Sequence, residues 1–510
     1  MITKYLQRGL SVAGLATLAT FAACGDEFLD REPLTSYTAA NFPRNAQQIE
    51  QAIIPGYNAL RELYAQNLWV LGEMRSDNTT FTFSAQDQGL QGRWQTDLFV
   101  DGASVDRSAD AWNDLYRAIQ RMNVVLVNIG DADFEDEDLR TQREAEARFL
   151  RGFFYWQLAR NFGDAPLLLE PEYDQAALLA IRRAPVDELY AQAIIPDVTF
   201  AIDNLPATYL PGGPDVGRAT RGAAQMLLAK AHFLRRDYAA ALPLLEALID
   251  EGQYALFPDF RGLFAPENEN NAEIIFAAQF ENGANQGAGF LNSWLPLGSG
   301  TTISGNPRQN IGSSGGGNNR PTDCLFDAYE EGDPRREATI GVAQIGGQRV
   351  LWPRKFIFPP IPDGGLSTDW PVFRYADVLL MRSEALLELG TQGELPDQVF
   401  LDINELRGRV GLDLAFPGSP DSILNADTPD KLRGLLRLER RREMALEDYR
   451  WYDLVRYGNV VEVMRAHGAR QRAIGGYIDN FSDAFENIPE LYPLPINQVQ
   501  TYGYRQNPGY

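Results

Sequence analysis

The stretch Leu228-Ala229-Lys230-Ala231-His232-Phe233-Leu234-Arg235-Arg236-Asp237-Tyr238-Ala239-Ala240-Ala241-Leu242 decides the architecture. Two blocks alternate small residues (Ala229, Ala231, Ala239, Ala241) with large apolar ones (Leu228, Phe233, Tyr238, Leu242), and a polar break at Arg235-Arg236-Asp237 separates them. This is the small/large pattern of a tetratricopeptide helix pair. Asp237 stands where the second helix should start, and its carboxylate suits an N-cap.

The same pattern extends along the chain. Tyr375 through Ala385-Leu386 to Gly390, then Phe400-Leu401, Ile403 and Leu406, reads as a second pair. Around 107–129, Trp112, Leu115, Tyr116, Ile119, Met122 and Leu126 fall on one helix face. Thr141 with Glu144 forms a capping box opening a helix that runs to about Asn161, with Gly163 and Pro166 as its stop. In that helix Phe149, Leu150, Phe153, Phe154, Trp156 and Leu158 surround the axis, so a buried central helix is predicted. The pairs do not recur at the fixed period of about 34 residues that a solenoid requires. The expected fold is therefore mainly α: tetratricopeptide-like helical pairs with long irregular loop insertions.

Two insertions stand out. Residues 76–106 are polar, with Gly89, Gly92 and Gly102, and residues 281–321 include Gly312-Ser313-Ser314-Gly315-Gly316-Gly317-Asn318-Asn319. Structureless segments this long inside a compact body are usually functional or disordered. Both lie between strong helices, so they read as loops that pack on the scaffold and form a ligand site.

The first residues carry Lys4 and Arg8, then an apolar run from Gly9 to Ala23 that ends at Cys24. A basic start, a short apolar stretch and small residues before the cut describe a secretory signal over 1–23. Phe21-Ala22-Ala23-Cys24 resembles a bacterial lipobox with Phe21 in place of the usual Leu, so Cys24 is the expected lipidation site. Residues 24–45 then read as a tether and 46–510 as the body. Removing residues 1–23, which hold two cations and no acid, takes the formal net charge from -23 to -25. A surface this acidic repels phosphate backbones and anionic lipid, which excludes nucleic acid as a partner and makes a covalent anchor necessary. Cys324 is the only other cysteine, so with Cys24 lipidated no internal disulfide forms.

Catalysis is hard to assemble. The only histidines are His232 and His467, and neither sits in a triad or zinc motif. The acidic run Asp131 to Asp138 fails as an EF-hand, because its sixth and twelfth positions are Asp136 and Gln142 rather than Gly and Glu; it reads as a solvated connector. The sequence identifies no cofactor and no calcium site. Glu439-Arg440-Arg441-Arg442-Glu443 reads as an ion-pair network locking the last helices. Exposed aromatic faces, with carboxylate and amide groups beside them, give a small ligand both stacking and hydrogen-bonding partners. Trp112, Trp156 and Trp451 lie in helical segments and read as core. Trp94 and Trp294 lie in the two long insertions, with Asp77 and Asn78 at the mouth of the first. These four are the expected ligand-binding residues.

Several ordered blocks resemble the SusD/RagB family. They are Cys24-Gly25-Asp26-Glu27-Phe28-Leu29-Asp30, Arg75-Ser76-Asp77-Asn78, Glu146-Ala147-Arg148-Phe149-Leu150-Arg151, Asn161-Phe162-Gly163-Asp164-Ala165-Pro166-Leu167, Thr220-Arg221-Gly222-Ala223-Ala224 and Arg374-Tyr375-Ala376-Asp377. Most specific are Glu439-Arg440-Arg441-Arg442-Glu443, Arg450-Trp451-Tyr452-Asp453-Leu454-Val455-Arg456 and Gln506-Asn507-Pro508-Gly509-Tyr510. The resemblance implies a cell-surface lipoprotein of the outer membrane that binds oligosaccharide or polysaccharide without chemistry. It further implies a partner, a SusC-like TonB-dependent transporter over which the protein sits as a lid. Peptide as ligand, a lipid-anchored protein scaffold and a divergent glycosidase are the competing readings.

Overall fold

The computed structural model describes residues 43–82, 91–171, 173–281, 287–308, 310–312, 316–363, 365–390, 393–421, 424–475, 478 and 481–510. The expected signal segment, Cys24 and nearly all of the tether lie outside the described residues, as do parts of both long insertions.

The helical body opens with α1 (Ala46–Leu63), α2 (Asp106–Asn128) and α3 (Glu137–Phe162). The expected face of α2 is turned inward: Trp112, Leu115, Ile119 and Met122 are buried, with Tyr116 and Leu126 half-buried beside them. α3 is the predicted central helix, and all six of its singled-out apolar residues are buried. Its start differs from the expectation. Asp136 is the N-cap, accepting from the backbone N–H of Asp138 and Leu139, while Thr141 only donates to the Glu137 carbonyl. Asp136, Glu137 and Asp138 therefore belong to the helix start, where carboxylates oppose the positive end of the helix dipole. Gly56 lets α1 cross close to α2 and α3: a Cβ there would lie 2.8 Å from Met122 Cε and 2.9 Å from Leu150 Cδ1. α3 stops at Gly163, whose φ of 69° suits glycine.

α4 (Ile195–Asn204), α5 (Arg221–Leu234) and α6 (Tyr238–Asp250) continue the bundle. α5 and α6 are the pair read from Leu228 to Leu242, and Asp237 caps α6 by accepting from the Ala240 N–H at 3.2 Å. The second pair forms too, as α7 (Tyr375–Leu389) and α8 (Asp397–Arg409), and packs with α9 (Pro429–Met444). Leu380, Val399, Ile403, Leu406, Leu432 and Leu436 form a smaller core between these helices, apart from the main one. The chain continues through α10 (Arg450–Tyr457) and α11 (Val460–Ile474).

Short strands pin the excursions to this scaffold. β1 (Thr79–Thr80) pairs antiparallel with β3 (Arg320–Pro321), and β2 (Ile274–Ala278) pairs with β6 (Trp370–Arg374). β4 (Ile340–Ile345) and β5 (Gln348–Pro353) make a hairpin whose turn is Gly346-Gly347, both at positive φ.

The ion-pair reading of the 439–443 block holds. Glu443 receives Arg374 at 2.7 Å and Arg409 at 2.6 Å, Glu439 receives Arg335 at 2.6 Å, and Arg440 bonds Asp377 at 2.6 Å and Asp453 at 2.7 Å. No helix among the described residues is long and apolar enough to cross a membrane.

Candidate functional site at the junction of the two long loops

The two glycine-rich insertions, far apart in sequence, meet in space. Besides the β1–β3 ladder, the Thr82 N–H donates to the Gly317 carbonyl at 2.7 Å and the Thr322 N–H to the Asn78 carbonyl at 2.9 Å. Thr79 Oγ1 bonds Asn319 Oδ1 at 2.8 Å. Gly317 sits at φ 78°, and a Cβ there would lie 2.7 Å from Thr82 Cβ. Glycine is therefore needed where one loop crosses the other.

Below this junction the structure places most of the expected ligand-binding residues in the interior. Asp77 is 2% and Asn78 1% exposed. Asp77 receives Arg450 at 2.7 Å and Arg441 at 2.9 Å, and Asn78 Oδ1 accepts from Arg441 at 2.7 Å. Burial alone would raise the Asp77 carboxyl, but the two guanidiniums hold it well below the usual carboxylate range. These residues tie the first loop to α9 and α10 and cannot face a ligand, because a buried charge is kept for its partner. Trp294, expected to face the ligand, is interior as well. It is 1% exposed, with Trp69, Phe290, Trp370 and Phe356 at ring separations of 5.4, 5.6, 6.0 and 6.2 Å. Loop residues 289–294 form a short helical turn that drives this ring into the core beneath the junction.

Trp94 alone of the four remains half-buried at the surface. It sits on the short helix Gln91–Asp97, with the Phe481 ring 4.6 Å away at 45°. Phe481 comes from the segment after α11, which the sequence did not mark as part of a site. Phe290, half-buried over Trp294, is a further aromatic that sequence reasoning passed over. Its place in the Gly/Asn-rich insertion was the available signal. Under the same surface, burial pushes the Asp97 carboxyl up to about 8, although the Thr80 hydroxyl donates to it at 2.9 Å.

His232 Nδ1 lies 3.3 Å from Asp237 Oδ2 near the α5–α6 turn. His467 is buried against Phe485, and burial pushes it down to about 4. Cys324 lies 3.4 Å from an Arg470 nitrogen and 3.6 Å from one of Arg441. Among the described residues no group of three or more His, Cys, Asp or Glu side chains is placed to hold a metal ion.

Known proteins share this architecture. Residues 27–233 match a family model described as "Starch-binding associating with outer membrane", and residues 348–510 match the SusD family model. SusD-like protein P25 of Formosa agariphila is 25% identical over 479 residues, covering 86% of this chain and 88% of that protein. Starch-binding protein SusD of Bacteroides thetaiotaomicron is 23% identical over 609 residues, covering all of both chains. Two solved structures superpose closely. A laminarin-binding SusD-like protein has a TM-score of 0.74 at 23% identity, and surface glycan-binding protein A from Bacteroides fluxus has 0.72 at 24%. Each covers 92% of this chain and 100% of its own. With residues 27–233 and 348–510 matched by two SusD-type family models, and SusD-like relatives aligned along most or all of its length, the chain is a member of the SusD-like family.

Proposed function

We propose that this protein is a glycan-binding lipoprotein of the outer-membrane surface, anchored through Cys24, that captures oligosaccharide and delivers it to a SusC-like TonB-dependent transporter as its lid. The observation that carries the binding step is the ring pair of Phe481 with Trp94, which sits on the short helix whose Asp97 accepts from Thr80 of β1. Two aromatic rings at a polar, glycine-rich surface offer the faces on which a pyranose stacks. The family description and the laminarin-binding relative support glycan as the ligand class. The transporter partnership, the anchor and the surface exposure rest on the family resemblance and the lipobox-like segment. Nothing in the reading calls for a cofactor, and chelator treatment should leave affinity unchanged.

The test is a glycan-array or affinity-gel screen with the wild-type chain and Trp94→Ala. The wild type should be retained by at least one neutral glycan, and the variant should bind it about tenfold more weakly, a loss of about 1.4 kcal/mol. Release of reducing sugar during the screen would replace binding with hydrolysis. Retention by peptide alone would replace the ligand class.

A further inference from the structure

Away from the loop junction, the outer face of α2 forms a groove with the segment from Pro166 to Leu178 and the short helix Ile496–Tyr502. It consists of two adjoining cavities of about 580 and 180 Å³ that share Asn113, Tyr116, Leu168 and Leu178. Together they fall in the size range of small-ligand sites, roughly 300–1,000 Å³. Neither cavity includes Trp94 or Phe481.

The walls are phenolic. Tyr116 is half-buried beside Trp112, at a ring separation of 5.0 Å, and its hydroxyl donates to the Pro166 carbonyl. Tyr173 is fixed by accepting the backbone N–H groups of Leu169 and Glu170 at 3.0 and 3.1 Å. At the other end Tyr502 lies parallel to Tyr504, 5.5 Å apart at 21°. The rings are thus held in place before any ligand arrives, which lowers the ordering cost of binding. The polar groups between them are unspent. The side chains of Asn113, Glu170, Gln498 and Tyr502 make no hydrogen bond among the described residues.

We infer that this groove is a second saccharide site, taking a short neutral oligosaccharide across Tyr116, Tyr173 and Tyr502. The inference rests on the glycan reading above. Phenol rings separated by amides and a carboxylate match a ligand with apolar C–H faces and hydroxyl edges. Neutrality follows from the charges. Arg117, in the groove wall, is paired with Asp114 at 3.2 Å, and Arg182 and Arg183 beside the Tyr504 end are held by backbone carbonyls, while the Glu170 carboxylate is unpaired and repels uronates and sulfated sugars.

Calorimetry on the detergent-solubilised full chain, with malto-, laminari- and manno-oligosaccharides and a uronate oligomer, tests it. Wild type should show two sites per chain for a neutral series and none for the uronate. Tyr502→Ala and Asn113→Ala should each remove or weaken about tenfold one of those sites, while Trp94→Ala affects the other. An isotherm unchanged in both groove variants, with binding lost in Trp94→Ala, overturns the groove and leaves the glycan reading standing. If wild type binds no saccharide, both fall together. Because Tyr502 and Asn113 lie at the surface, matched melting temperatures will show that the variants are folded.

Discussion

Asp77 lies buried at the base of the first loop. A carboxylate at the mouth of a polar loop invites a ligand hydroxyl, but two arginines from 441 and 450 occupy it. Asp77→Ala should leave both guanidiniums without their counter-charge and cost about 3–5 kcal/mol, read as a fall in melting temperature. Trp294→Ala should cost a similar 3–5 kcal/mol by opening a cavity among Trp69, Phe290 and Trp370. Trp94→Ala, at the surface, should change affinity with little effect on melting. The sequence marked Trp94 and Trp294 alike because both sit in long polar insertions. What separates them is the short turn 289–294, which folds its tryptophan inward, and no local pattern announces that rotation.

Among the elements, the helices were the most legible part. Periodicity found α2, α3, α5, α6, α7 and α8, because each buries one face or all faces and the spacing of apolar residues records it. Asp237→Ala should destabilise the α5–α6 pair by about 1 kcal/mol through loss of the cap, measurable by chemical denaturation. The β4–β5 hairpin went unread, although Gly346-Gly347 between Ile345 and Gln348 is the turn signal that would have marked it. Pairing between β1 and β3 was beyond reach, since strands of two residues carry no period at all. That pairing brings a pH dependence with it. Asp97, bonded to Thr80 of β1, titrates at an ordinary 3.8 when unfolded and at about 8 when folded. Between those values the folded chain keeps a proton that the unfolded chain has lost. This contribution is therefore full below 3.8 and fades as pH rises through about 8. Asp97→Asn should flatten the slope of stability against pH in that window. An unchanged slope would assign the dependence to other buried carboxyls, such as Glu73, pushed up by burial to about 7.

For the whole molecule, the sequence blocks that resemble the SusD/RagB family turn out to be the joints of the fold. Glu73, Arg75, Asp77 and Asn78 are held by residues between 441 and 510, and the 439–443 block holds Arg335, Arg374 and Arg409. Their order was legible while their partners were not, because an ion pair across hundreds of residues leaves no spacing in the sequence. At this scale the expectation is cellular. Cys24→Ser should move the protein from the membrane fraction to the soluble one, and a TonB-dependent barrel should co-purify with the wild type in mild detergent.

Arg75 donates to the Pro489 carbonyl and to the Tyr510 hydroxyl, partners separated from it by 414 and 435 residues. A chain that emerges in order of sequence cannot finish the 73–78 turn until residues beyond 440 have arrived. Arg75 can pair early with Asp101, but Asp77 has no counter-charge until Arg441 and Arg450 arrive. Contacts this remote slow folding and hold the unfinished chain open. The 73–78 turn is thus among the last parts of the fold to set, closed only when the C-terminal residues are in place.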